Sequence, residues 1–345
     1  MNSKSITRCS LCIMPESAEG IRLDESGVCQ LCKSFKKITT KGKKALLKEI
    51  EKYSDRQQSE YNCIVPVSGG RDSAYALYYA KKELGLRPIA FHNDNDFETD
   101  IAVENLINIT DSMDVPLIKL NSGNKRTKKI VAEKCRMNAP FGPGLVVDQT
   151  CEACKYGFEA GAYNTAKKNG IKLIIWGDSI EESTAKYHEM VKHVKPTRME
   201  RLLSPTIVNL FKYKYYFNQM KKEYGPDSPD GLHEVHLFDF IEWDRKVIVD
   251  TIKGKMGWRQ PEGSATSWRI DCHLVPLINY LTATAYGVSK IELGFSQMIR
   301  NGKMEREDAL KQAEQIEKAV DVNQLKDFLK KEMNISDMCA DKLLF

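Results

Sequence analysis

Between residues 61 and 179 the apolar positions alternate between two habits. The runs CIVPV (63–67), RPIAFHND (87–94), VPLIKLN (115–121) and IKLIIWGDS (171–179) are short, nearly continuous and rich in β-branched residues. Such runs suit strands buried on both faces. Between them, SAYALYYAKKELG (73–85), TDIAVENLINITDSM (99–113) and GFEAGAYNTAKKNG (157–170) carry helical spacing, the first closed by Gly85. Strands alternating with helices predict an α/β fold with a parallel, doubly wound sheet. A less regular stretch follows the third strand. Pro66 conflicts with its strand because it donates no ladder bond, so it marks where pairing stops.

The flanks follow other patterns. Residues 1–40 hold Cys9, Cys12, Cys29 and Cys32 amid turn formers and have too few apolar positions to fold without a staple. KGKKALLKEIEKY (41–53) reads as a helix with a solvated basic face. From about residue 206 the segments VNLFKYKYYFNQMKKEYG, VHLFDFIEWD, LVPLINYLTATAYG and KMEREDALKQAEQIEKAV read as a mostly helical extension. The division expected is therefore a ribbon (1–40), a nucleotide-type α/β domain (41–205) and a helical extension (206–345).

Composition adds limits. The chain has 345 residues and a net charge of +5, which suits an anionic small substrate and is too mild to argue for nucleic-acid binding. No run reaches the roughly 18 apolar residues of a membrane span. The first residues lack the apolar core of a signal peptide, so a cytoplasmic protein is expected. Ten cysteines in such a chain favour metal or redox chemistry over a disulfide framework. Cys9-x-x-Cys12 and Cys29-x-x-Cys32, 16 residues apart, have the spacing of a closed four-cysteine zinc site. Redox use and chance are the alternatives. Cys63, Cys135 and Cys339 need no special role.

The sharpest chemical signal is VSGGRDS, residues 67–73, between the first strand and its helix. A glycine turn opening a helix collects unpaired N–H groups and the positive end of the helix dipole, which together form a seat for phosphate. Gly69 and Gly70 allow close approach, Ser68 and Ser73 donate hydroxyls, and Arg71 and Asp72 supply charge. The pattern is neither G-x-x-x-x-G-K-[ST] nor G-x-G-x-x-G. A plain structural turn is the bland alternative.

SGGRDS resembles the PP-loop of the ATP pyrophosphatase superfamily, the adenine nucleotide alpha hydrolase-like group that includes GMP, NAD and argininosuccinate synthetases and tRNA-thiolating enzymes. The resemblance implies ATP cleaved to AMP and pyrophosphate, with the adenylyl group placed on a substrate oxygen. Many members carry lysine where this chain has Arg71, so a planar fork replaces a point charge. By position in the family, the base would lie near Val67, His92, Asn93 and Asp94. A further phosphate- or metal-contacting loop would hold Gly177, Asp178, Ser179 and Glu182. Asp178 would help hold Mg²⁺, with a helix N-cap as its alternative. The catalytic residues so implied are Arg71, Asp72, Ser73 and Asp178.

Cys151, Cys154 and Cys272 resemble the trio that follows the loop in tRNA-thiolating members, where three cysteines hold a 4Fe-4S cluster with one open iron. A second zinc, a reversible disulfide and buried thiols are the other readings. A closer resemblance spans most of the chain. C-x-x-C-x-M-P, G-V-C-x-x-C beside L-D-E, the loop, CEACKYGF, LIIWGDS, FIEWD and IRNGKMEREDAL are similar to the N-acetyl sugar amidotransferases of bacterial surface-polysaccharide (lipopolysaccharide, O-antigen type) biosynthesis. That family is implied to turn the acetamido group of a nucleotide-activated sugar into an acetamidino group. Asn2 stands where an N-terminal nucleophilic cysteine would be needed, and no G-x-C-x-G elbow occurs. Ammonia is therefore expected from a separate glutaminase with a cyclase-like delivery subunit. Lys186, His188, His193, Lys195, Arg198 and Arg201 could hold a sugar diphosphate or form a solvated face. Trp268, Arg269, Asp271 and His273 are candidates for the acceptor pocket. Two rivals stand beside this reading: a sulfur transferase acting on tRNA or a small molecule through the cysteine trio, and a nucleotide-binding module without catalysis. The mild charge weighs against RNA.

Overall fold

The computed structural model describes residues 6–53, 60–121, 123–178, 206–262, 264 and 266–345. Five strands form one wholly parallel sheet: β1 (Cys63–Pro66), β2 (Pro88–Asp94), β3 (Leu117–Asn121), β4 (Leu173–Trp176) and β5 (His233–His236), in spatial order β3-β2-β1-β4-β5. Cys63 lies opposite Pro88 and Leu173 opposite His233. The expected α/β fold with a parallel sheet is therefore present.

Period-two alternation explains how the sheet is covered on both faces. Cys63, Val65, Ala90, Leu173, Ile175 and Val235 point to one side, into a core shared with Leu46, Leu77, Ile109 and Ile252. Ile64, Ile89, Phe91, Ile174 and Trp176 point to the other, against Ala162, Tyr163 and Ala166. Of the helical residues among these, Leu46 lies in α1 (Lys43–Tyr53), Leu77 in α2 (Arg71–Tyr78, continued by a π-helical turn Tyr79–Glu83), Ile109 in α3 (Asp100–Met113), and Ala162, Tyr163 and Ala166 in α6 (Glu152–Lys168), with α4 (Arg126–Asn138) and α5 (Pro143–Thr150) between α3 and α6. Beyond residue 205 come α7 (Thr206–Tyr224), α8 (Arg245–Met256), α9 (Val275–Tyr286), α10 (Lys290–Arg300), α11 (Arg306–Lys318), α12 (Val322–Met333) and α13 (Asp337–Leu344).

Three details differ from the sequence expectation. The irregular stretch after β3 is helical, forming α4 and α5. Residues 233–236, expected inside the helical extension, form β5; of these four only Val235 is fully buried, so the polar edge strand carries no strong pattern. Pro66 ends pairing on one side only. Toward β4 the register is Ile64 with Ile174, whereas toward β2 the Val67 N–H still donates to Phe91 O at 2.7 Å.

The cysteine-bearing N-terminal segment packs on the C-terminal helices. Cys9, Cys12, Met14 and Cys29 share a core with Tyr286, Val288 and Leu293. Arg8 pairs with Glu292 at 2.6 Å, and Arg306 donates to the carbonyls of Cys12 and Cys9. A Cβ on Gly287, whose φ is +70°, would lie 2.4 Å from Ser17 O.

Candidate nucleotide site and cysteine centres

The sheet order reverses between β1 and β4, and in parallel sheets ligands bind at the carboxyl ends of strands beside such a reversal. The VSGGRDS loop occupies that place. Gly69 has φ +77°, and a Cβ there would lie 2.1 Å from Ala102 O, so α3 presses directly on the turn. Ser73 Oγ organises the loop from inside: it accepts from Ser68 N at 3.2 Å, lies 3.4 Å from Ser68 Oγ and donates to Gly70 O at 3.3 Å. Gly70 caps α2 with extended backbone and no side chain. The first-turn N–H groups therefore have no side-chain cap as a partner, as an anion seat requires. Gly177, just past β4, brings the second loop close. A Cβ there would meet Asp72 O at 2.7 Å and Ser73 Cα at 2.8 Å.

Arg71 behaves differently from the expectation that its charge faces phosphate. Its guanidinium is buried and grips Asp72 through Nε–Oδ1 (2.9 Å) and Nη2–Oδ2 (2.8 Å). Trp243 and Trp268 cover it at 4.8 and 5.4 Å, and Nη1 donates to Ser267 Oγ at 3.0 Å. Trp243 Nε1 also donates to Asp72 Oδ1, and Trp258 Nε1 to Gly69 O, each at 3.0 Å. Trp243, Trp258, Ser267 and Trp268 thus clasp the loop. No sequence signal marked Trp243, Trp258 or Ser267 as partners of the loop, because they lie more than 170 positions downstream of it.

The candidate base-binding residues separate. His92 is buried, with Nδ1 2.7 Å from Val67 O and Nε2 against Glu98 Oε1, so it braces the start of the loop. Asn93 faces the opposite side of the sheet, where its Oδ1 accepts from Tyr224 Oη at 2.5 Å and its amide crowds Gly157. Asp178 accepts from His236 Nδ1 at 2.7 Å, and this contact raises the His236 pKa above its usual value. Ser179, Glu182, Lys186, His188, His193, Lys195, Arg198 and Arg201 lie outside the described residues.

The segment expected to form an acceptor pocket folds over the loop. The Thr99 hydroxyl donates to Ile270 O at 2.7 Å, and His273 N donates to Phe97 O at 2.8 Å. Cys272 makes an isolated antiparallel bridge with Glu98. Between these ties, Asp271 places its Oδ2 3.4 Å from where a Cβ on Gly70 would lie. Its Oδ1 is buried without a hydrogen-bond partner, with Arg269 Nε 3.8 Å away. A carboxylate oxygen left bare at a phosphate seat fits Mg²⁺, whose ligands are hard oxygens.

Cys9, Cys12, Cys29 and Cys32 converge, with all four sulfurs within 4.8 Å of one another. Cys9 and Cys32 sulfurs are 3.8 Å apart, as are those of Cys12 and Cys29. A tetrahedral zinc with bonds of about 2.3 Å separates its sulfurs by about 3.8 Å. The donor set and spacing therefore fit Zn²⁺. Cys29 N–H donates to Cys9 Sγ and Met14 N–H to Cys12 Sγ, and Arg300 sits 3.7 Å from Cys12 Sγ, all favouring thiolate charge.

The second trio is gathered more loosely. Cys151 and Cys154 flank the start of α6, and with Cys272 they border one apolar core. Among the described residues, they do not reach the mutual closeness of the first four. Burial, then the neighbouring Cys151 and Cys272, drives the Cys154 thiol well above its usual pKa. Burial likewise takes Cys272 to about 12.

Comparison with known proteins gives partial matches. Residues 262–343 match the family described as LPS biosynthesis protein WbpG-like, C-terminal domain. MJ1599, an uncharacterized protein of Methanocaldococcus jannaschii, is 27% identical over 202 residues, 57% of this chain and 67% of its own length. MJ1016 of the same organism is 27% identical over 137 residues, which is 39% of this chain and 42% of MJ1016. Among solved structures, the U34-tRNA thiolase NcsA from Methanococcus maripaludis with its 4Fe-4S cluster aligns over 87% of this chain and 89% of its own, at 12% identity and TM-score 0.37. The NMN synthetase from Francisella tularensis aligns over 71% and 92%, at 14% identity and TM-score 0.29. No helix among the described residues is long and apolar enough to cross a membrane.

Proposed function

We propose that this chain is an ATP-dependent, AMP-forming amidotransferase acting on a nucleotide-activated N-acetyl sugar. The observation that carries the reading is the uncapped first turn of α2, set by Gly69 and Gly70 at the reversal point of a parallel sheet. There the loop N–H groups and the Ser68 and Ser73 hydroxyls would hold the leaving pyrophosphate. The acetamido oxygen attacks the α-phosphorus and the bond to the β-phosphate oxygen breaks, giving an O-adenylated imidate. Ammonia then adds to the carbon, AMP leaves with the oxygen and one proton is released, so an acetamidine results. Preorganised N–H dipoles stabilise charge developing on the departing pyrophosphate. Mg²⁺, when bound, would neutralise phosphate charge. Zinc on Cys9, Cys12, Cys29 and Cys32 is assigned a structural role, since four sulfurs leave no open position.

The choice of a polysaccharide precursor draws support from the match over residues 262–343 and from the motifs spread along the chain. Ammonia would come from a separate glutaminase and a cyclase-like subunit. The test is incubation with ATP, an ammonium salt and a panel of UDP-N-acetyl sugars, followed by mass spectrometry of the sugar. Exchange of one oxygen for NH supports the assignment. A complete panel without such a product removes the sugar substrate.

One observation favours a second reading. Cys154 feels both Cys151 and Cys272, and Cys272 is tied to the loop after β2 beside the phosphate seat. A sulfur transferase using a 4Fe-4S cluster would place its sulfur there. Iron analysis of anaerobically purified protein separates the two: a brown, iron-containing preparation favours sulfur transfer, and a colourless, zinc-only one favours amidation.

A further inference from the structure

The Arg71 guanidinium grips Asp72, and among the described residues the loop offers the phosphates N–H and hydroxyl donors. Against that seat the C-terminal segment sets a carboxylate. Asp271 Oδ2 approaches to 3.4 Å of the Cβ position of Gly70, while Oδ1 is buried with no hydrogen bond. A bare buried acceptor costs about 1–3 kcal/mol, more when charged, so such groups are usually satisfied. Arg269 Nε forms an ion pair with Oδ1 at 3.8 Å but is beyond hydrogen-bond reach, so the acceptor is left without a hydrogen bond. Nor is the placement loose: the carbonyl of residue 270 accepts from Thr99, the N–H of 273 donates to Phe97, and Cys272 bridges to Glu98. A fixed carboxylate beside a polyphosphate repels it unless a cation lies between them.

We infer that Asp271 is a carboxylate ligand, supplied by the C-terminal segment, for the divalent cation that accompanies the nucleotide. The inference rests on the reading of the loop as an ATP site. Asp178 is the less suitable oxygen donor, because His236 already holds its Oδ1. Held there, the cation would tie the phosphates of the nucleotide to the segment that also carries Cys272.

The test is titration of the full chain with α,β-methylene-ATP, in EDTA and in Mn²⁺, with Mn²⁺ occupancy read by electron paramagnetic resonance. In the wild type, Mn²⁺ should tighten nucleotide binding by about 10- to 100-fold. In Asp271→Asn, the affinity in EDTA should equal or exceed the wild type, since a repelling charge is gone, and the Mn²⁺ enhancement should shrink to about twofold or less. Asp271→Ser should behave alike, with circular dichroism and zinc content verifying the fold of both. An undiminished Mn²⁺ enhancement in either variant overturns the assignment, as does an equal loss of affinity with and without metal. A wild type that binds no nucleotide in either condition overturns the loop reading together with the inference.

Discussion

Arg71 is the residue whose placement most changes how the loop works. Removing a guanidinium from water costs several kcal/mol, and here a bidentate carboxylate, a hydroxyl and two indole faces offset that cost. The consequence is that Arg71 acts on the shape of the loop before it acts on phosphate. Arg71→Lys should lower thermal stability, by about 1–3 kcal/mol, because an ammonium can neither fork onto Asp72 nor stack between Trp243 and Trp268. Nucleotide affinity should then fall by no more than the loss of stability explains. A collapse of affinity in a fully stable variant would show that the side chain leaves Asp72 when ATP binds. His236 offers a second check. Its pKa is raised by the hydrogen bond to Asp178, so the stabilisation from that pair is complete below the ordinary value near 6.5 and fades as pH rises through the elevated one. In an NMR titration the His236 midpoint should lie above 6.5 and drop in Asp178→Asn. An unchanged midpoint would remove the interaction.

At the scale of elements, β1, the loop and α2 were legible because two periodicities meet at a glycine turn, and local sequence decides that geometry. β5 was not legible: His233, Glu234 and His236 stay half-exposed at the sheet edge, leaving Val235 as its single core residue. The clasp on the loop was illegible for a different reason. Trp243, Trp258 and Ser267 mean little until the fold brings them to Asp72, Gly69 and Arg71. The pairing of the first four cysteines was readable from spacing, whereas the separation of His92 from Asn93 follows from strand alternation at a register the sequence does not print. The N-terminal ribbon gives a prediction at this scale. Its core is small and shared with Tyr286, Val288 and Leu293, so a metal held by the four cysteines would supply much of its folding energy. Cys29→Ser should lose bound zinc and expose the Tyr286 face to proteolysis, with the sheet intact by circular dichroism. Full zinc content in that variant would exclude Cys29 as a ligand.

Across the whole molecule, segments far apart in sequence are brought together. The ribbon rests on α9 and α10, and Trp258 and residues 266–273 lie over the phosphate seat. The segment matched to the polysaccharide-biosynthesis family, residues 262–343, therefore includes residues that lie against the proposed ATP site. The central claim is that the loop after β1 holds ATP for cleavage between the α and β phosphates. Supplying ATP labelled at both its α- and γ-phosphates with ammonium and the acceptor sugar, and separating the labelled products, tests it directly. The account predicts AMP and pyrophosphate in equal amounts, and ADP with inorganic phosphate would contradict it.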